Sequence, residues 1–168
     1  MPDVVSRRCL MCAMEEADET RTVFRDELWA GEVVNGMEVP GWFVLRSRRH
    51  AELITGLDRA ELDSVAHRAR DLTAAVTEVT GAPATYLMTF GENNRHFHVL
   101  ITARGEDVPT DRRGGDILKL IDERADTSAA IRLVPAVREA YVRSVRSDTA
   151  IQGSGPPPQE SGSHRTRP

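Results

Sequence analysis

Apolar positions recur along the chain in two different periods. Between Asp58 and Thr80, Leu62, Val65, Ala66, Ala69, Leu72, Val76 and Val79 return at helical spacing. That single apolar stripe predicts a long amphipathic helix. Asp58 and Glu61 form an Asp-x-x-Glu version of the capping box at its start, and Gly81 followed by Pro83 stops it. Shorter runs rich in β-branched and aromatic residues flank the helix and read as strands. Three precede it, Thr22 to Phe24, Leu28 to Val34 and Trp42 to Arg46, and two follow it, Ala84 to Phe90 and Arg95 to Ala103. Asn35-Gly36 and Pro40-Gly41 mark turns between the second and third strands, and Gly91-Glu92-Asn93-Asn94 separates the last two. The first three strands read as an antiparallel meander. A Gly/Asp/Pro-rich loop then leads into a second helical region from about Asp116 through Arg143, with a break expected near Pro135.

Composition bounds what this pattern builds. The 168 residues are enough for one core, and 40% apolar with 29% charged residues is ordinary for a globular chain. Residues 1–8 read as a loose lead-in, 9–146 as the folded domain, and 147–168 as a disordered tail. The tail is Ser-, Gly- and Pro-rich, carries the triple proline Pro156 to Pro158, and is too polar to pack. A net charge of -4 offers no basic face for nucleic acid, so an anion must be held locally by a few arginines. Met1 to Arg8 lacks an apolar leader, and no apolar run approaches the roughly 20 residues that cross a bilayer. The expectation is a cytoplasmic protein without a membrane partner.

Cys9 and Cys12 are the only cysteines. In a reducing compartment a Cys-x-x-Cys pair is a metal half-site, a redox pair or two inert thiols. A redox pair belongs after a strand at a helix start, whereas this stretch precedes every strong strand, which favours metal. A zinc site wants four ligands, and His50 with His96 or His98 completes a Cys2His2 set. The acidic stretch Glu15-Glu16-Ala17-Asp18-Glu19 reads as a solvated face. In Asn94-Arg95-His96-Phe97-His98-Val99-Leu100, strand alternation puts Asn94, His96, His98 and Leu100 on one face, with the two imidazoles about 7 Å apart. A pair of half-buried, hydrogen-bonded histidines has the same pattern. Arg95, Arg104 and Arg48 lie near this motif as candidate anion contacts. His67 falls off the helix stripe and should face solvent, His164 lies in the tail, and Trp29 and Trp42 read as core.

The order of these motifs is informative. Cys-x-x-Cys near the N-terminus, a strand ending in Arg48-Arg49-His50, a long amphipathic helix and a strand with His96-Phe97-His98-Val99-Leu100-Ile101 together resemble the zinc-containing branch of the histidine-triad (HIT) superfamily, over roughly residues 9 to 104. The resemblance implies an α+β fold: a five-stranded antiparallel sheet packed with one long helix and a C-terminal helical region. It further implies Zn2+ as cofactor, often a homodimer, and hydrolysis or transfer of nucleoside monophosphate groups, dinucleoside polyphosphates being a typical substrate. The chemistry runs through a nucleotidyl-histidine, with His98 and His96 as catalytic residues and Asn94, Arg95 and Arg104 as substrate contacts. Two registers fit the histidines. In one, His96 is the nucleophile, His98 a phosphate contact, and Asn94 replaces the first His of the triad. In the other, Asn94-x-His96-x-His98 is similar to the Asn-Pro-His-Pro-His of galactose-phosphate uridylyltransferases, where the first His binds zinc with Cys9, Cys12 and His50 and the second attacks phosphorus. The ribose-binding acid of many relatives would be Glu32 or Asn35.

Overall fold

A computed structural model describes residues 9–152. The lead-in 1–8 and the tail from residue 153 lie outside the described residues. Five strands, β1 (Thr22–Arg25), β2 (Trp29–Glu32), β3 (Trp42–Ser47), β4 (Ala84–Met88) and β5 (His98–Arg104), form one antiparallel sheet in the order β1-β2-β3-β5-β4. The helices are α1 (Leu10–Ala13), α2 (Arg59–Thr80), α3 (Ile121–Arg124) and α4 (Thr127–Gln152). The α+β class and the five-stranded antiparallel sheet are as expected.

The register sorts residues onto two faces. Phe43 pairs with Ile101, and Leu45 with Val99. Phe43, Leu45 and Ile101 are fully buried with Trp29, against Leu72 and Val76 of α2 and Val134 and Val137 of α4. Gly31 lets this layer close up, because a Cβ there would meet Phe24 Cε1 at 2.6 Å. The opposite face carries Glu32, Val44, Arg46, His98 and Leu100 in paired positions. Its cover is the N-terminal segment, where Cys9, Met11 and Met14 are buried against Val34 and Val44.

α2 starts and stops where the pattern predicts. Asp58 accepts from Glu61 N at 2.9 Å, Glu61 accepts from Asp58 N at 2.8 Å, and Gly81 closes the helix at φ 62. The buried stripe, however, runs through Glu61, Ala69, Leu72, Ala75 and Val76, while Leu62 and Ala66 are exposed. His67 is exposed, and Trp29 and Trp42 are core.

Several boundaries differ from the sequence reading, β2 and β4 being shorter than expected. The second helical region divides at Asp126 rather than at Pro135: Asp126 Oδ1 accepts from Ala129 N at 2.8 Å and caps α4. α4 then passes through Pro135 without a break, with the ring at an exposed position while Val134 and Val137 keep the buried stripe continuous. α4 also continues to Gln152, so the first six residues of the segment read as a tail are helical. Finally, β5 begins at His98, not at Arg95. The backbone before it is engaged elsewhere, as Phe97 N donates to Ala51 O and Phe97 O accepts from Ser47 N. No described helix is long and apolar enough to cross a membrane.

Candidate metal centre and adjoining pocket

Three segments far apart in sequence meet at one end of the sheet. Cys9 and Cys12 come from the turn around α1, His50 from the chain just after β3, and His96 from the turn before β5. Their four donor atoms all lie within 4.8 Å of one another. Cys9 Sγ is 3.4 Å from His96 Nδ1, Cys12 Sγ is 3.5 Å from the same nitrogen, and Cys12 Sγ is 3.3 Å from His50 Nδ1. A tetrahedral ion with ordinary metal–sulfur and metal–nitrogen bonds needs sulfur-to-nitrogen edges of about 3.5 Å, so the donor set fits such an ion.

His96 is held for this role from behind. Its Nε2–H donates to the Ser47 carbonyl at 2.7 Å, which leaves Nδ1 with a lone pair facing the sulfurs. Burial holds His96 down at about 4, against the raising effect of its bond to Ser47. Burial, reinforced by the neighbouring Cys9, pushes the Cys12 thiol up to about 11. Without a metal the Cys12 thiol and the His96 imidazole are therefore neutral, and a bound cation would draw off the Cys12 proton.

An ion-pair network anchors the same N-terminal turn to the sheet. Glu15 pairs with Arg48 and, at 2.9 Å, with Arg46. The fully buried Arg46 pairs at 2.7 Å with the fully buried Glu32, which also takes Arg25 at 2.5 Å. Burial alone would raise the Glu15 carboxyl, but its hydrogen bonds from Arg48 and Arg46 hold it below the usual range. The acidic stretch is thus not simply a solvated face. Glu32, the candidate ribose acid, is committed to arginines inside the protein. Sequence reasoning missed this network, and the signal for it was Arg46, a charge inside the otherwise apolar strand Trp42 to Leu45.

His98 has a different setting two residues on. It is half-buried on β5, and its Nδ1–H donates to the His96 carbonyl at 2.6 Å. That bond selects the tautomer and leaves Nε2 with a free lone pair. The ring lines a cavity of about 310 Å³, walled by apolar side chains that include Leu10, Met11, Val44, Phe90 and Leu100, with Glu92 and Asn94 at its polar side. Among the described residues no Arg or Lys lines it. Of the expected anion contacts, Arg95 is exposed and pairs with Glu52 at 3.0 Å. Arg104 ends β5 six residues beyond His98, about 20 Å along a strand. Arg48 belongs to the Glu15 network. Asn94 does line the cavity, and its Oδ1 lies 3.8 Å from Cys9 Sγ. The structure therefore brings Cys9, Cys12, His50, His96, His98 and Asn94 together and leaves Arg95 and Arg104 outside.

Searches by sequence find no matching family model and no matching curated protein. Solved structures do match. A hypothetical histidine triad nucleotide-binding protein from Sulfolobus tokodaii superposes with a TM-score of 0.64 at 18% identity, over 80% of this chain and 93% of that one. A zinc-bound histidine triad family protein from Mycobacterium smegmatis gives 0.59 at 19% identity, over 86% and 99%. A uridylyltransferase gives 0.59 at 21% identity, covering 80% of this chain but 45% of that one. The chain has the fold of the histidine-triad superfamily.

Proposed function

We propose that this protein is a zinc-containing, histidine-triad-like hydrolase or nucleotidyl transferase that acts on a nucleotide phosphate through a nucleotidyl-histidine on His98. The observation that carries the reading is the division of labour between two imidazoles. His96 turns its free nitrogen to the thiols, while His98 has Nδ1 tied to a backbone carbonyl and lines a cavity large enough for a nucleoside. Such a tie fixes the tautomer and the orientation of the nucleophile. Cys9, Cys12, His50 and His96 would hold the zinc, whose contribution is structural, since a Cys2His2 set closes the coordination sphere. The match to a zinc-bound protein of the same fold supports that choice of metal.

In this reading the nucleoside enters the apolar cavity with its phosphate at His98. Nε2 attacks phosphorus, the bond from phosphorus to the leaving-group oxygen breaks, and the electron pair departs on that oxygen. Water then attacks the same phosphorus, the P–N bond returns its pair to Nε2, and the water proton goes to solvent. Splitting the displacement in two keeps each barrier lower than a single direct attack by water. Homodimerisation fits the open edge of the sheet, where β4 and its exposed Leu87 lie next to exposed Phe90.

A second reading rests on the cavity wall. With no cation lining it and apolar Leu100 beside His98, a module that binds a nucleotide or zinc without turnover fits as well. A panel of adenylated substrates, dinucleoside polyphosphates among them, separates the two. The enzyme releases AMP, and His98→Ala abolishes the release. Nucleotide binding with no AMP release from any substrate would establish the module instead.

A further inference from the structure

Away from the metal cluster, where the turn between β1 and β2 meets α2 and α4, lies another cavity of about 260 Å³. Arg25 on its wall pairs with Ala30, Ala30 with Arg46 and Arg46 with His98. Three strand spacings, about 14 Å, therefore separate it from the His98 position, and the two cavities share no lining residue. One wall is apolar. Phe24 stacks on the buried ring of Tyr141 at 4.2 Å, and Val142, 41% exposed, continues that wall with Val145.

The rest of the lining is basic: Arg25, Arg68 and Arg146 stand against a single acid, Asp26. That acid is already satisfied. Its Oδ1 accepts from Leu28 N at 2.9 Å and from Trp29 N at 2.8 Å, and Arg68 Nε lies 2.8 Å from Oδ2. Arg146 is exposed and forms no ion pair among the described residues. Two further donors, Arg25 Nε and Tyr141 Oη, are buried without a hydrogen-bond partner. Burial pushes the Tyr141 hydroxyl up to about 12, so it keeps its proton. Unanswered donors behind a partly dewatered wall leave a field that favours negative charge in front of it. An anion need not touch those closed-off atoms, because Arg146 and the solvent-facing 30% of the Arg68 side chain offer the direct contacts.

We propose that this cavity is a second binding site, for a small organic anion, a carboxylate or a phosphate monoester, whose charged group lies against Arg68 and Arg146 and whose apolar body lies on Phe24, Val142 and Val145. Both halves of the lining are needed for this choice. Inorganic phosphate would leave the apolar wall bare, and a neutral apolar molecule would leave the arginines without a counter-charge. The site stands apart from the chemistry proposed at His98 and requires neither metal nor nucleotide.

The test follows the backbone amide signals of the full chain during titration with benzoate, with phenyl phosphate and with benzylamine as the cationic counterpart. The anions should give saturable shifts centred on Phe24 to Asp26, Arg68 and Tyr141 to Arg146, and benzylamine should give none there. Saturation by only one of the two anions upholds the site and fixes its class. Arg146→Gln should weaken anion binding about fivefold, the upper end for one solvent-facing charge contact. Val142→Asp should abolish it, and both variants, being at exposed positions, should keep the wild-type Tm. His98→Ala should bind the anions here as the wild type does, which separates this site from the other cavity. Shifts found only around His98, equal shifts with benzylamine, or wild-type affinity in both Arg146→Gln and Val142→Asp would overturn the proposal.

Discussion

His96 and His98 are separated by one residue and sit in opposite surroundings. The His96 ring is fully buried, with one nitrogen on the Ser47 carbonyl and the other on two thiols. The His98 ring is half-buried, with one nitrogen on a carbonyl and an apolar cavity beside it. The N-terminal turn serves both regions with consecutive residues, as Cys9 and Cys12 join the cluster while Leu10 and Met11 wall the cavity. What differs is how each region is stabilised. The metal side is polar and holds only if every donor and charge finds its partner, whereas the pocket side is apolar and depends on shape.

Substitutions on the metal side should therefore hurt most. Cys12→Ser should abolish tight metal binding and lower Tm by about 10 °C or more, because a structural zinc contributes several kcal/mol to folding and each kcal/mol moves Tm by roughly 2–4 °C at this size. Calorimetry with elemental analysis checks this, and full metal content with an unchanged Tm would contradict it. Next comes Arg46→Met, which leaves the buried Glu32 with Arg25 as its remaining partner and should cost about 3 kcal/mol in urea denaturation, the low end for breaking a buried pair.

Acid should act on the same side. His96 is held near 4 in the folded state, against an ordinary value of about 6.5. The unfolded chain thus takes up its proton first as pH falls, and the stability conferred by the neutral folded imidazole is lost from pH 6.5 downward to about 4. Metal-free protein should lose roughly 2 kcal/mol between pH 6.5 and pH 5. His96→Gln should flatten that part of the profile, and an equally steep slope in the variant would assign the effect to another group. On the pocket side, Phe90→Ala should change stability by no more than about 0.5 kcal/mol, since Phe90 is 52% exposed, yet weaken nucleotide binding measured by calorimetry.

Much of this was legible before the fold was known, and unevenly so. The long helix was readable to its caps because Asp58, Glu61 and Gly81 are local signals. The ligand set Cys9, Cys12, His50 and His96 could be assembled because soft thiols and imidazoles have few other reasons to share a short motif order. The His-x-His alternation was misleading in one respect, since His96 precedes β5 and its direction comes from the Ser47 carbonyl on another strand. Arg95 and Arg104 were placed by proximity in sequence, which a strand converts into distance rather than contact. The Arg46, Glu32 and Glu15 network showed in the sequence only as the lone charge Arg46, because its pairing depends on the register of β2 with β3 and on where the N-terminal turn lands.

The division between the two histidines is tested most directly by measuring zinc content and AMP release together on His96→Ala and His98→Ala. His98→Ala should keep its zinc and its Tm and lose turnover about a thousandfold or more. His96→Ala should lose zinc, stability and turnover together. A His96→Ala protein that retains the metal and loses only catalysis, with His98→Ala still turning over, would reverse the two roles and contradict the account.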